Sequence, residues 1–193
     1  MNADARSVLD FWFGAPGSET YGQQRRFWFL KRSDTDATIR ERFGTITDTA
    51  LNGGLGDWDD TARGMLAHVL VLDQFTRNIH RNTARAFAGD AMARALARRL
   101  VDSGDHATLL PVERIFVYLP LEHAEDAALQ AESVALFTAL AADHPGFDTT
   151  LDYARRHRDV IERFGRFPHR NAILGRPNTL EESDYLAQPG SGF

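Results

Sequence analysis

Apolar residues recur at close to the 3.6-residue helical period along almost the whole chain, and no stretch alternates as a half-buried strand would. That pattern predicts an all-α fold. Val8, Leu9, Phe11, Trp12 and Phe13 read as a first helix stopped by Gly14, and Phe27, Trp28 and Leu30 as a second. Ser33 or Asp34 then caps a helix whose Ile39, Phe43, Ile46 and Leu51 share one side, ending at Gly53-Gly54. Further helices run from Met65 through Phe75, from Gly89-Asp90 to Gly104, and from Pro111 to Leu119. Pro120 should stop or kink the chain before the pattern resumes over 122–142. Leu151–Phe164 follows, and Thr179-Leu180-Glu181-Glu182 reads as a capping box opening a last short helix. The expectation is one domain over 1–188, built of about eight or nine helices with short connections, and a frayed tail over 189–193. No internal repeat is visible, so periodicity leaves a compact bundle and a stack of helical hairpins both open.

Composition narrows the function classes. At 43% hydrophobic and 25% charged the chain is an ordinary globular one, and without cysteine it has no disulfide, thiolate metal site or thiol nucleophile. The N-terminus has no apolar run of signal-peptide length, and no stretch reaches the ~18 apolar residues of a spanning helix. We therefore expect a cytoplasmic protein with no membrane partner. A net charge of −5 and the lack of a recognised motif argue against nucleic acid as the ligand.

Three segments place polar residues where the pattern demands apolar ones. Asp73 falls below Leu66, Val69 and Leu70 in the apolar stripe, where a carboxylate needs a cation, and Arg77 stands one turn on. Glu122 and Asp126, four apart, align with Leu129 and Ser133 on one inward-leaning face, and their like charges require something positive opposite. The stretch 155–176 supplies it. It carries seven arginines against Asp159 and Glu162, and guanidinium forks suit two-pronged contacts with carboxylate or phosphate. These acidic groups and arginines are expected to form one inward polar centre. The plain alternative is a buried ion-pair network that only locks helices, and His123, His157 and His169 can equally be hydrogen-bonded core residues. No histidine spacing matches a zinc or di-iron site, so neither metal nor cofactor is expected.

Four of these stretches, Val8-Leu9-Asp10-Phe11-Trp12-Phe13-Gly14, Asp73-Gln74-Phe75-Thr76-Arg77-Asn78, Tyr118-Leu119-Pro120-Leu121-Glu122-His123 and the run from Arg163 to Asn171, together resemble the bacterial domain-of-unknown-function family 924. The resemblance spans nearly the whole chain in order. It implies a tetratricopeptide-like all-helical arrangement with no established activity. Thr76 stands where that family usually has proline, so the end of its helix should be less sharply fixed.

Three readings of function follow. In the first, a helical binding protein holds an anionic small molecule or acidic peptide through Arg77, Asn78, Arg163, Arg166, Arg170 and Asn171. In the second, a hydrolase-type enzyme uses Asp73 or Glu122 as base and His123, His157 or His169 as acid, with arginines stabilising charge. The third is a scaffold that binds a partner helix in a groove.

Overall fold

A computed structural model describes residues 1–192. They are all-α, with eight helices: α1 Ala3–Phe13, α2 Ser33–Leu51, α3 over 62–79, α4 Asp90–Asp102, α5 Pro111–Glu122, α6 Ala127–Asp143, α7 Asp148–Phe164 and α8 Leu180–Leu186. Short 3₁₀ turns fill several connections, and the expected second helix is one of them, Arg26–Phe29. No strand occurs among the described residues. By contacts the chain divides into two compact units, one holding 1–81 and 85–120, the other 82–84 and the chain from Leu121 onward.

The first unit is built on aromatic packing. Trp12 is buried with the rings of Phe27, Phe75 and Phe116 at 5.2, 5.4 and 5.6 Å, mostly edge to face, the arrangement ring quadrupoles favour. Its backbone carbonyl accepts the Trp28 indole N–H at 2.9 Å. α1 starts where the Asn2 side chain accepts from the Asp4 N–H and ends where Gly14 turns to φ +86°. A Cβ there would stand 2.5 Å from Thr20 Oγ1. At the head of α2 the expected serine or aspartate cap is not made: Arg32 is the cap residue, its side chain forks onto Asp34 and caps no backbone group, and Ser33 and Asp34 lie inside the first turn.

α3 changes character along its length. Ala62–Val69 is α-helical, Leu70–Phe75 widens into a π turn, and Thr76–Ile79 closes as α. The Thr76 backbone N–H and hydroxyl both reach the Val71 carbonyl, the hydroxyl at 3.0 Å. A proline here could supply neither donor; Thr76 closes the widened turn by hydrogen bonding, and the helix runs on to Ile79. The widened turn lies against Gly89, where a Cβ would be 2.2 Å from Leu72 O, so only glycine fits without a backbone shift.

Pro120 does not end its helix. α5 runs through it to Glu122, the break comes at 123–126, and α6 begins at Ala127 with Asp126 as its N-cap. A proline costs one backbone donor, and with two helical residues left the turn still closes; Gln130 Nε2 then donates to the terminal carbonyls of Glu122 and Ala124 at 2.5 and 2.8 Å. In the second unit α6 and α7 pack together as an antiparallel pair joined through His144–Phe147. α7 ends at Gly165, φ +68°, and α8 opens with the expected Thr179–Glu182 capping box. In the tail expected to fray, Pro189-Gly190 makes a turn that Ser191 closes onto Gln188; Phe193 lies outside the described residues.

Candidate functional site

In the first unit the π turn sets Asp73, 1% exposed, against two donors: Arg77 Nη1 at 2.9 Å and Gln74 Nε2 at 2.6 Å. The same guanidinium forks onto Asp90 at 2.8 and 3.1 Å and lies over the Phe87 ring. Burial works against the charge on Arg77, but Asp73 and Asp90 outweigh it and hold the guanidinium more firmly protonated. Asn78 donates to Asp36 Oδ1 at 2.7 Å, and Arg81 clamps that carboxylate with two 2.7 Å bonds. Desolvation of Asp36 is overcome by Arg81 and Asn78, and its carboxyl ends below the usual range.

A separate network occupies the second unit. Glu122, buried at the end of α5, meets His157 of α7, with Nδ1 3.0 Å from Oε1 and 2.9 Å from the Tyr153 carbonyl. Both neighbours are acceptors, so Nδ1 carries a proton. The His123 ring lies 6.2 Å from that of His157, and Phe167 stands between His157 and His169 at 5.5 and 5.6 Å. Arg170, buried over the Phe167 ring, donates to the His123 carbonyl at 3.1 Å.

Asp126 is not part of this interior. It is exposed, and its carboxylate accepts from the Leu129 N–H as a helix cap, because the chain leaves helix at 123–126 and the four-residue spacing from Glu122 no longer holds. Glu125 takes the place expected for Asp126. Arg176 forks onto it at 2.7 and 2.9 Å, and the Phe167 N–H adds a third bond at 2.8 Å. Burial pushes Glu125 up, but Arg176 and that N–H prevail and keep its carboxyl below the ordinary range.

Arg166 is likewise held, by Glu182 at 2.6 and 2.8 Å. That hydrogen bonding, with the Thr179 N–H, brings Glu182 down to about 2. Asn171, fully buried, donates to Asn178 and accepts from Arg176. Arg163 differs. Its pair with Glu181, at 2.7 Å, leaves the two side chains 49% and 60% exposed, and its guanidinium lies over Phe164 and Tyr185. It lines an open groove of about 350 Å³ with Phe164, Arg166, Thr179, Glu181 and Glu182.

Sequence reasoning thus found Asp73 with Arg77, but it set Glu122 opposite arginines in one polar centre with Asp73, where the structure gives Glu122 the ring of His157 and Asp73 a network of its own. It missed Asp36, Asp90, Glu125 and Glu182. Asp90 and Glu182 sit in helix first turns, where an acidic residue already has a reason to be, and that reason hid the second role. No group of three or more histidine, aspartate or glutamate side chains is placed to hold a metal ion among the described residues. Nor is any of their helices long and apolar enough to cross a membrane.

An all-helical protein in which several inward-facing arginines, Arg77, Arg81, Arg166 and Arg176 among them, are held by its own carboxylates is the class that fold and network define. The chain belongs to the family described as bacterial protein of unknown function (DUF924), whose profile matches residues 8–190. It is similar to the solved structure of the protein of unknown function ATU0120 from Agrobacterium tumefaciens, with 38% identity and a TM-score of 0.83 over 96% of this chain and 97% of that one. No curated protein matches it.

Proposed function

We propose that the chain is a single-domain helical binding protein whose groove at Arg163 takes a carboxylate or phosphate on a small molecule or acidic peptide. The observation that carries this reading is the exposure of the Arg163–Glu181 pair. An ion pair this wet contributes about 0–1 kcal/mol, so an incoming anion can replace Glu181 at little cost, whereas Arg77, Arg166 and Arg176 are gripped by two-pronged internal pairs. Phe164 and Tyr185 beneath the guanidinium hold it flat, the posture a two-pronged anion needs. The expected ligand-binding role thereby narrows from six residues to Arg163, with Arg166 beside it in the groove lining.

Titration calorimetry with inorganic phosphate, citrate and a polyglutamate peptide tests this. Glu181→Gln removes the internal competitor and should tighten binding several-fold; Arg163→Gln should abolish it. If both variants bind like the parent chain, or none of the three probes gives heat, the reading fails.

A second reading has its own support. The buried Glu122–His157 pair has the arrangement of an oriented general base, with a carboxylate holding the imidazole at Nδ1. Ester and phosphoester hydrolysis by the purified chain, with Glu122→Gln lowering kcat and shifting the pH profile, would support it. No turnover above buffer would end it.

A further inference from the structure

One turn along the buried face of α6, Gln130 and Ser133 are both fully buried. The orientation of the Gln130 amide is settled by chemistry: Nε2 donates to the carbonyls of Glu122 and Ala124, and the flipped amide would set oxygen against two oxygens. Oε1 is therefore an acceptor directed away from those carbonyls, and it meets no protein donor. Ser133 is the other orphan. A serine inside a helix ordinarily bonds the carbonyl one turn back, but the Ser133 hydroxyl makes no such bond and meets no protein partner either. Buried polar atoms are nearly always paired, and residues three apart on a helix lie side by side.

We infer that Gln130 Oε1 and Ser133 Oγ together form an internal site for one small neutral hydrogen-bonding molecule, a water. The water donates one proton to Oε1, and it either donates its other proton to Oγ or accepts the serine proton. A charged species is disfavoured, since the site offers one fixed acceptor and one hydroxyl and no ionised partner of its own. Through its other end Gln130 is bonded to the carbonyl of Glu122, so the site lies one side chain from the Glu122–His157 pair. The inference is independent of ligand binding at Arg163.

High-resolution crystals of the full chain and of Ser133→Ala test it. The parent chain should show one ordered oxygen peak within about 2.6–3.2 Å of both atoms. In Ser133→Ala, which removes only a hydroxyl, the peak should weaken or vanish while circular dichroism stays that of the parent chain. A parent structure with Ser133 Oγ turned onto the Leu129 carbonyl and no such peak overturns the inference. So does an undiminished peak in Ser133→Ala, which would mean that the serine is no part of the site.

Discussion

Side chain by side chain, the arginines of this protein divide by how wet their partners are. Arg77 bridges two carboxylates, one of them fully buried, so Arg77→Met should take a cation from the buried Asp73 and cost about 3–5 kcal/mol in urea unfolding. Arg163→Gln breaks an exposed pair and should cost under about 1 kcal/mol in the same measurement. Equal losses from the two would contradict the distinction on which the groove reading rests. The Asp73–Arg77 contact was legible because both ends lie on one helix, where four-residue spacing fixes the distance. Arg166–Glu182 and Arg176–Glu125, sixteen and fifty-one residues apart, were not, since nothing in local spacing says which of many carboxylates an arginine will meet.

The helices themselves were readable from period and punctuation: Gly14 and Gly165 end theirs at positive φ, and Thr179 caps as expected. Pro120 and the π turn are among the places that departed from that reading. Pro120 sits in helix because the lost donor falls near an end that Gln130 seals, and a sequence window cannot show a cap arriving from eight residues on. The π turn at Leu70–Phe75 has no periodic signature of its own. A proline inside a regular helix costs ~3 kcal/mol, largely by collision with the carbonyl four residues back. In the widened turn Thr76 bonds instead five residues back, so Thr76→Pro should cost clearly less than that, as read by thermal unfolding. Gly89→Ala is the opposite case. Its methyl would enter the space of the Leu72 carbonyl, and a loss of about 1–3 kcal/mol is expected; an unchanged melting temperature would show that the backbone there yields freely.

Taken whole, the chain carries its acid sensitivity in carboxylates held below their ordinary range. Asp36, Glu125 and Glu182 stay ionised in the folded state at pH values where the unfolded chain takes up protons. Their stabilisation is complete above the unfolded carboxylate range, near pH 4 to 4.5, and fades as the pH falls toward about 2, where Glu182 titrates. Glu113, raised by burial, works the other way, since the folded state binds its proton first and gains stability as the solution becomes acidic. Melting temperature should therefore fall between about pH 4.5 and pH 2, and Glu182→Gln should flatten the lower part of that slope; an unaltered slope would place the sensitivity elsewhere. The internal matching of guanidinium to carboxylate also governs how the molecule greets a visitor. With most cations answered from within, the outward field is that of an acid of net charge −5, and an arriving anion is turned back until it comes within a screening length, about 8 Å in physiological salt, of the Arg163 groove. Added salt should then hasten such an encounter while loosening the grip that follows it.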